Sequence, residues 1–228
     1  MTCPENSINC CNLPSPINAR YKTFLRHNLA NYRRKKINKT RFTIISNNCW
    51  GGGIYESYNL VKQSPTIGMY ILPGDYLKFI SNIKHYLHCK LEFIDPNCSE
   101  NKEYIINNID RNYGSYPVGV LDDIEIYFMH YKNREIAKSK WKRRIDRICW
   151  DHIIFKFNDQ NGCTNEQLIQ FAKLPLPNKI AFTVRDGFED LDSIIKVNNP
   201  NKKDYVEYSN EPFGQNKYFN VNKFINRI

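Results

Sequence analysis

Phe42-Thr-Ile-Ile-Ser-Asn-Asn-Cys-Trp-Gly-Gly-Gly53 decides how the rest of the chain is read. Residues 42–45 are a short apolar run rich in β-branched side chains, the pattern of a buried strand. Ser46, Asn47 and Asn48 break the run with polar groups. Gly51, Gly52 and Gly53 then let the backbone turn, or approach a ligand closely. Residues 54–61 continue with helical spacing. Strand, polar loop, glycines and helix is how an α/β protein presents a site beyond the carboxyl end of a strand. A tight βα turn that simply needs glycines has the same form. The glycines match neither G-x-G-x-x-G nor G-x-x-x-x-G-K-[ST], so neither a dinucleotide fingerprint nor a P-loop is supported. No cofactor is expected.

The same grammar returns downstream. Residues 153–157 read as an apolar strand and 158–162 as a polar loop, and Thr164 with Gln167 forms a capping box for a helix over 165–174. Residues 179–184 are a further strand ending at Arg185. Between the two units, 66–72 is a strand candidate, and Pro73 with Asp75 marks a helix start. Tyr76, Ile80, Ile83 and Leu87 predict a single helix over 75–88. Residues 91–94 are a short strand, and 97–112 a polar loop with a helical turn. Residues 118–130 alternate like an antiparallel hairpin turning at Asp122-Asp123. A helix over 134–149 turns Ala137, Trp141, Ile145 and Ile148 inward. Residues 187–216 are acidic, then asparagine-rich, with little hydrophobic content, and 218–228 close as a short helix. The chain reads as α/β, with an antiparallel hairpin inserted among βα units. Residues 1–40 form a basic lead-in with one helix, at 17–32, and 41–228 a single α/β domain.

At 228 residues, 41% hydrophobic and 14% aromatic, the chain is globular and long enough for one good-sized core. No apolar run approaches the roughly 20 residues of a membrane span. The N-terminus lacks a basic region followed by an apolar one, so a cytoplasmic protein is expected, the inner face of the membrane being a possible station. The eight cysteines include no C-x-x-C pair, and free thiols are expected. The net charge of +10 is concentrated. Residues 20–41 hold nine basic side chains and no acidic one; 132–147 hold eight basic and two acidic. Such patches attract phosphates on nucleic acid, anionic lipid or nucleotide-linked sugars, although solvated helix faces look the same. The first patch is either a docked helix, the favoured reading, or a peripheral contact with an anionic membrane. No nucleic-acid-binding motif is present, which argues against that partner.

Several strand ends carry polar groups that an open parallel sheet would bring to one edge. Asp159 or His130 could be a catalytic base. Lys132 and Arg185 could hold phosphate. Ser46, Asn47, Asn48, Asn158 and Gln160 could bind hydroxyls or carbonyls, with Gly51 and Gly52 admitting the substrate and Trp50 stacking on a base or sugar ring. Asp and amides at strand ends also cap turns, so it is their combination that points to a site. Cys49 with His130 or His152 is the alternative, a thiol nucleophile with its base. No metal is expected: there is no H-E-x-x-H, and His85 and His88 lack an obvious third ligand. Asp190-Leu-Asp192 has the D-x-D form of some glycosyltransferases, but in an acidic stretch chance explains it better.

Ser46-Asn-Asn-Cys-Trp-Gly-Gly52, Ser64-Pro-Thr-Ile-Gly68, Pro73-Gly-Asp75, Asp123-Ile-Glu-Ile126, Phe128-Met-His-Tyr131 and Lys156-Phe-Asn-Asp-Gln-Asn-Gly162 resemble the bacterial DUF1919 family, over roughly residues 41–228. The chain departs from that pattern at Tyr127, where a histidine is expected, and at Asp122, where a glycine is. The resemblance implies a three-layer α/β sandwich with a mostly parallel sheet. It also implies an association with exopolysaccharide or capsular polysaccharide biosynthesis. The leading expectation is therefore a transferase moving a sugar from a nucleotide-linked or lipid-linked donor, with Asp159 as base. Acyl transfer or hydrolysis on a glycan through Cys49 and His130 is the alternative, and non-enzymatic binding of glycan precursors a further one.

Overall fold

The computed structural model describes Phe24 and residues 27–228. Among them the strands are β1 (Thr43–Ser46), β2 (Glu92–Ile94), β3 (Val118–Leu121), β4 (Ile124–Tyr127), β5 (Ile153–Asn158), β6 (Lys179–Thr183) and β7 (Ile194–Lys196). The helices are α1 (Ala30–Arg34), α2 (Trp50–Ser57), α3 (Pro73–Ser81), α4 (Ile83–His88), α5 (Lys102–Asn108), α6 (Arg134–Ile145), α7 (Asn165–Lys173) and α8 (Val221–Arg227).

A parallel sheet runs β1-β5-β6-β7, and a separate antiparallel sheet runs β2-β3-β4. β1 and β5 are neighbours, with Ile44 opposite Ile154 and Ser46 opposite Lys156, so the loops after them leave the same edge. Alternation along the strands splits the core in two. Ile45, Phe155, Phe157 and Ala181 meet Tyr76 and Phe79 of α3, Leu168 and Phe171 of α7 and Trp141 of α6. Ile44, Ile154, Ile180 and Phe182 meet Trp50 and Ile54 of α2 and Val221 and Ile225 of α8. Helices cover both faces, which is why the strands read as continuous apolar runs. The architecture is the expected α/β sandwich.

Four local expectations change. Residues 66–72 give no strand, only a bridge in which Tyr70 and Tyr127 exchange both backbone hydrogen bonds at 3.0 Å. Gly68, at φ +77°, and Pro73 bound that bridge on either side. The helix over 75–88 is two helices, broken at Asn82 (φ −139°, ψ 51°). The hairpin is extended by β2 into a three-stranded sheet. Residues 187–216 supply β7, too short to show as a pattern. Of the basic lead-in, Ala30 and Ile37 are buried and Asn226 bonds the backbone at both Lys36 and Asn38, whereas Phe24, Leu29 and Tyr32 of the helix expected over 17–32 are exposed. Residues 17–23, 25 and 26 of that expected helix lie outside the described residues. No helix among the described residues is long and apolar enough to cross a membrane.

Candidate functional site

The loops after β1 and β5 meet, as their shared grammar predicts. Asn47 donates to Asn158 (2.9 Å) and Asn48 donates to Gln160 (3.2 Å). Beneath them lies a buried ion pair, Lys156 with Glu211. The Lys156 ammonium also donates to Asn48 Oδ1 at 2.9 Å, while Asn48 and Asn158 donate to the Glu211 carboxylate. Burial pushes the Glu211 carboxyl upward, and Lys156 pulls it back down. Neither member of this pair was picked out by sequence reasoning. Lys156 sat inside an apolar strand and Glu211 in the asparagine-rich tail. The available signal was the lysine itself: in a strand covered on both faces, its charge needs a buried acid.

This network occupies the groups expected to bind substrate. Ser46, Asn47 and Asn158 are fully buried within it. Trp50 does not offer its ring to a ligand: it has no exposed surface, its indole N–H donates to Pro212 O (2.7 Å), and its edge meets Phe182. Gly51 and Gly52 do not admit a ligand either. A Cβ would stand 3.1 Å from Ile44 at the first and 3.3 Å from Ile67 at the second, so these glycines let α2 lie against the core.

Asp159 is 1% exposed and tied on both oxygens. Oδ2 accepts from Thr183 Oγ1 (2.7 Å) and Val184 N–H (2.9 Å), and Oδ1 accepts from Val206 N–H (2.6 Å). Burial raises its carboxyl above the ordinary value, against the pull of those donors. Arg185 spans loops, donating to Asn165 Oδ1, Cys163 O and Asp204 O. Lys132 is exposed on the bend before α6, within the second basic patch.

At the surface, next to the network, lies a different constellation. Cys49 Sγ is 3.4 Å from His130 Nε2. Cys49 is half-buried and occupies the N-cap of α2; His130 is exposed. Each is held from behind. Asn48, anchored by Lys156, accepts the Trp50 N–H at 3.0 Å and so fixes the first turn of α2 around Cys49. His130 donates its backbone N–H to Gly68 O (3.0 Å). Its neighbour Tyr131 donates to Ile67 O (2.6 Å), as does the buried Arg144 (2.9 Å), which also bonds the Tyr131 hydroxyl. Gly68 is required at that crossing, because a Cβ there would come within 3.1 Å of the Tyr131 ring on a left-handed backbone. The His130 imidazole is raised above 6.5, first by its bond to Cys49, with partial desolvation by the surrounding protein opposing. The thiol faces that imidazole at the positive end of a helix. Both features favour thiolate. His152, the other partner weighed for Cys49, is instead beside Lys39.

The chain is similar to two further proteins. A protein of Haemophilus influenzae described as "Uncharacterized protein" is 32% identical over 171 residues, 75% of this chain and 73% of that relative. A "Lamassu protein LmuB" from a Bacillus species is 23% identical over 92% of this chain, which spans only 37% of that protein's length. The profile of a domain of unknown function, DUF1919, matches residues 20–226, and the chain belongs to that family.

Proposed function

We propose that this protein is a thiol enzyme of acyl transfer or hydrolysis, with Cys49 as nucleophile and His130 as general base. The observation that carries the reading is the 3.4 Å contact between the Cys49 sulfur and His130 Nε2, at the N-terminus of a helix whose first turn is fixed from within. In the first half-reaction the Cys49 sulfur attacks a carbonyl carbon and His130 takes the thiol proton. His130 returns that proton to the departing alcohol or amine as the thioester forms. In the second, a water or an acceptor hydroxyl gives its proton to His130, attacks the thioester and releases the thiol. An acylated glycan or its precursor is the substrate class in keeping with the expectation, drawn from the resemblance alone, of a part in surface-polysaccharide biosynthesis. A cytoplasmic setting, which keeps thiols reduced, suits such an enzyme. Glycosyl transfer with Asp159 as base is the less favoured reading, since Asp159 would have to exchange three internal hydrogen bonds for an acceptor hydroxyl.

The test needs no natural substrate. With p-nitrophenyl acetate, intact mass and peptide mapping are expected to place an acetyl group on Cys49. His130→Ala should slow acylation by about 10²–10⁴-fold, the usual worth of general-base help. Acetylation spread over several cysteines, or equal rates with and without His130, would remove the assignment.

A further inference from the structure

Apart from the Cys49–His130 pair, three ligand-type side chains meet where the end of α4 faces the β3–β4 turn. His85 and Cys89, four residues apart, project from the last turn and end of α4, and Asp122 comes from the β3–β4 turn. Their ligand atoms all lie within 4.8 Å of one another. His85 Nε2 is 2.8 Å from Asp122 Oδ2 and 3.6 Å from Cys89 Sγ. They border a surface cavity of about 370 Å³ shared with Lys90, Glu92 and Val120.

We infer that His85, Cys89 and Asp122 form a zinc-binding site, with one coordination position left to water. Imidazole, thiolate and carboxylate are the donor set that Zn²⁺ accepts in tetrahedral geometry. With metal–ligand bonds of about 2.0–2.3 Å, the ligand atoms of such a site stand roughly 3.3–3.6 Å apart. The sulfur–nitrogen spacing already has that value. The nitrogen–oxygen spacing has to open by roughly 0.5 Å and the sulfur–oxygen spacing, which lies within 4.8 Å, has to settle to the same range, movements that rotation of the exposed Asp122 side chain supplies.

The site is preorganised by contacts it does not itself use. The turn that carries Asp122 is pinned to both helices through Asp123, which accepts from Lys78 of α3 (2.8 Å) and from Tyr86 of α4 (2.7 Å). Asp122 is held at φ 55°, a left-handed conformation that Asp tolerates better than most residues but that still carries strain. A hairpin turn alone would be better served by glycine or asparagine there. The carboxylate at this position instead meets His85. On binding, the Cys89 thiol loses its proton to solvent, and the ion joins α4 to the antiparallel sheet.

The experiment uses the full chain carrying Cys49→Ala, so that the other thiol–imidazole pair contributes nothing, after dialysis against chelator. Zn²⁺ is titrated in competition with a chromophoric chelator, and Co²⁺ binding is followed by its thiolate-to-metal charge-transfer absorption. One equivalent of Zn²⁺ is expected, with a rise in Tm. Removal of a residue that merely supports a ligand typically costs 10–100-fold in affinity, so His85→Ala and Cys89→Ser should each weaken binding by at least about tenfold. The cobalt charge-transfer band should vanish in Cys89→Ser and survive in Cys98→Ser. All three side chains are at least partly exposed, so the variants should keep the parent's circular dichroism. A Zn²⁺ equivalent and a cobalt band that persist in Cys89→Ser would place the ion elsewhere and overturn the site. So would the absence of any binding in competition with the chelator.

Discussion

Cys49 and His130 are 81 residues apart in sequence and 3.4 Å apart in space. The sequence offered both as candidates, but as an alternative, because no local signature joins them. Their meeting depends on two things that a linear reading does not contain: the N-cap placement of Cys49 and the crossing of Gly68 beneath His130. Asp159 is the converse case. An acid one residue past a strand, too early to cap the next helix, looked like a base, and nothing in its neighbours foretold that Thr183, Val184 and Val206 would claim it. The pair's coupling is measurable. His130 is raised above 6.5 mainly by Cys49. Its stabilising interaction is therefore fully present below pH 6.5 and is lost as pH rises through the raised value. In an NMR titration, His130 should show a midpoint above 6.5, falling in Cys49→Ala. Alkylation of Cys49 by iodoacetamide should remain fast well below the ordinary thiol midpoint of about 8.5, and His130→Ala should move the profile toward that value. An unchanged His130 midpoint in Cys49→Ala would mean that the two side chains do not interact in solution.

Strand β5 shows how far an element can be read from pattern. Its extent was legible from Ile153 to Phe157 because a strand covered on both faces needs apolar side chains throughout. Lys156 is the exception, and the exception organises the loops around it. The same limit explains the other elements. α7 was fixed by its capping box, a local device present in full between Thr164 and Gln167. The break at Asn82 was invisible, because apolar spacing runs through it unchanged. Lys156→Met keeps the strand but leaves Glu211 buried without its cation, which typically costs about 3–5 kcal/mol. Adding Glu211→Gln retains acceptors for the Asn48 and Asn158 amides and removes the stranded charge. Urea denaturation should show the double variant recovering most of that loss. If the two single losses simply add, the pair is not coupled, and the account of how Asn48 is anchored under Cys49 fails.

The largest scale joins these pieces through the segment that looked least structured. Residues 206–213 cross the carboxyl edge of the parallel sheet as a strap. Val206 donates to Asp159, Glu211 pairs with Lys156, and Pro212 accepts from Trp50. Phe213 and Tyr208 crowd Gly53, where a Cβ would stand 2.5 Å from each. Polarity made this segment read as loop, since its apolar contribution is a few scattered side chains and its attachment is by buried polar contacts to residues up to 163 positions away. The strap seals the strand ends, so the expected substrate groups are internal and Cys49 with His130 remains at the surface beside them. Asp159→Asn separates the structural and chemical readings of that aspartate. The neutral amide keeps one oxygen for the backbone donors but cannot accept on both sides. A hydrogen bond to a charged group contributes about 1.5–3 kcal/mol, and a stability loss of that order is expected. Limited proteolysis should become faster within 198–205, the stretch leading into the strap, while Cys49 acylation stays within about threefold of the parent, because no proton at the sulfur passes through Asp159. A folded Asp159→Asn protein with an untouched strap and acylation lowered by about 100-fold would instead give Asp159 the chemical role.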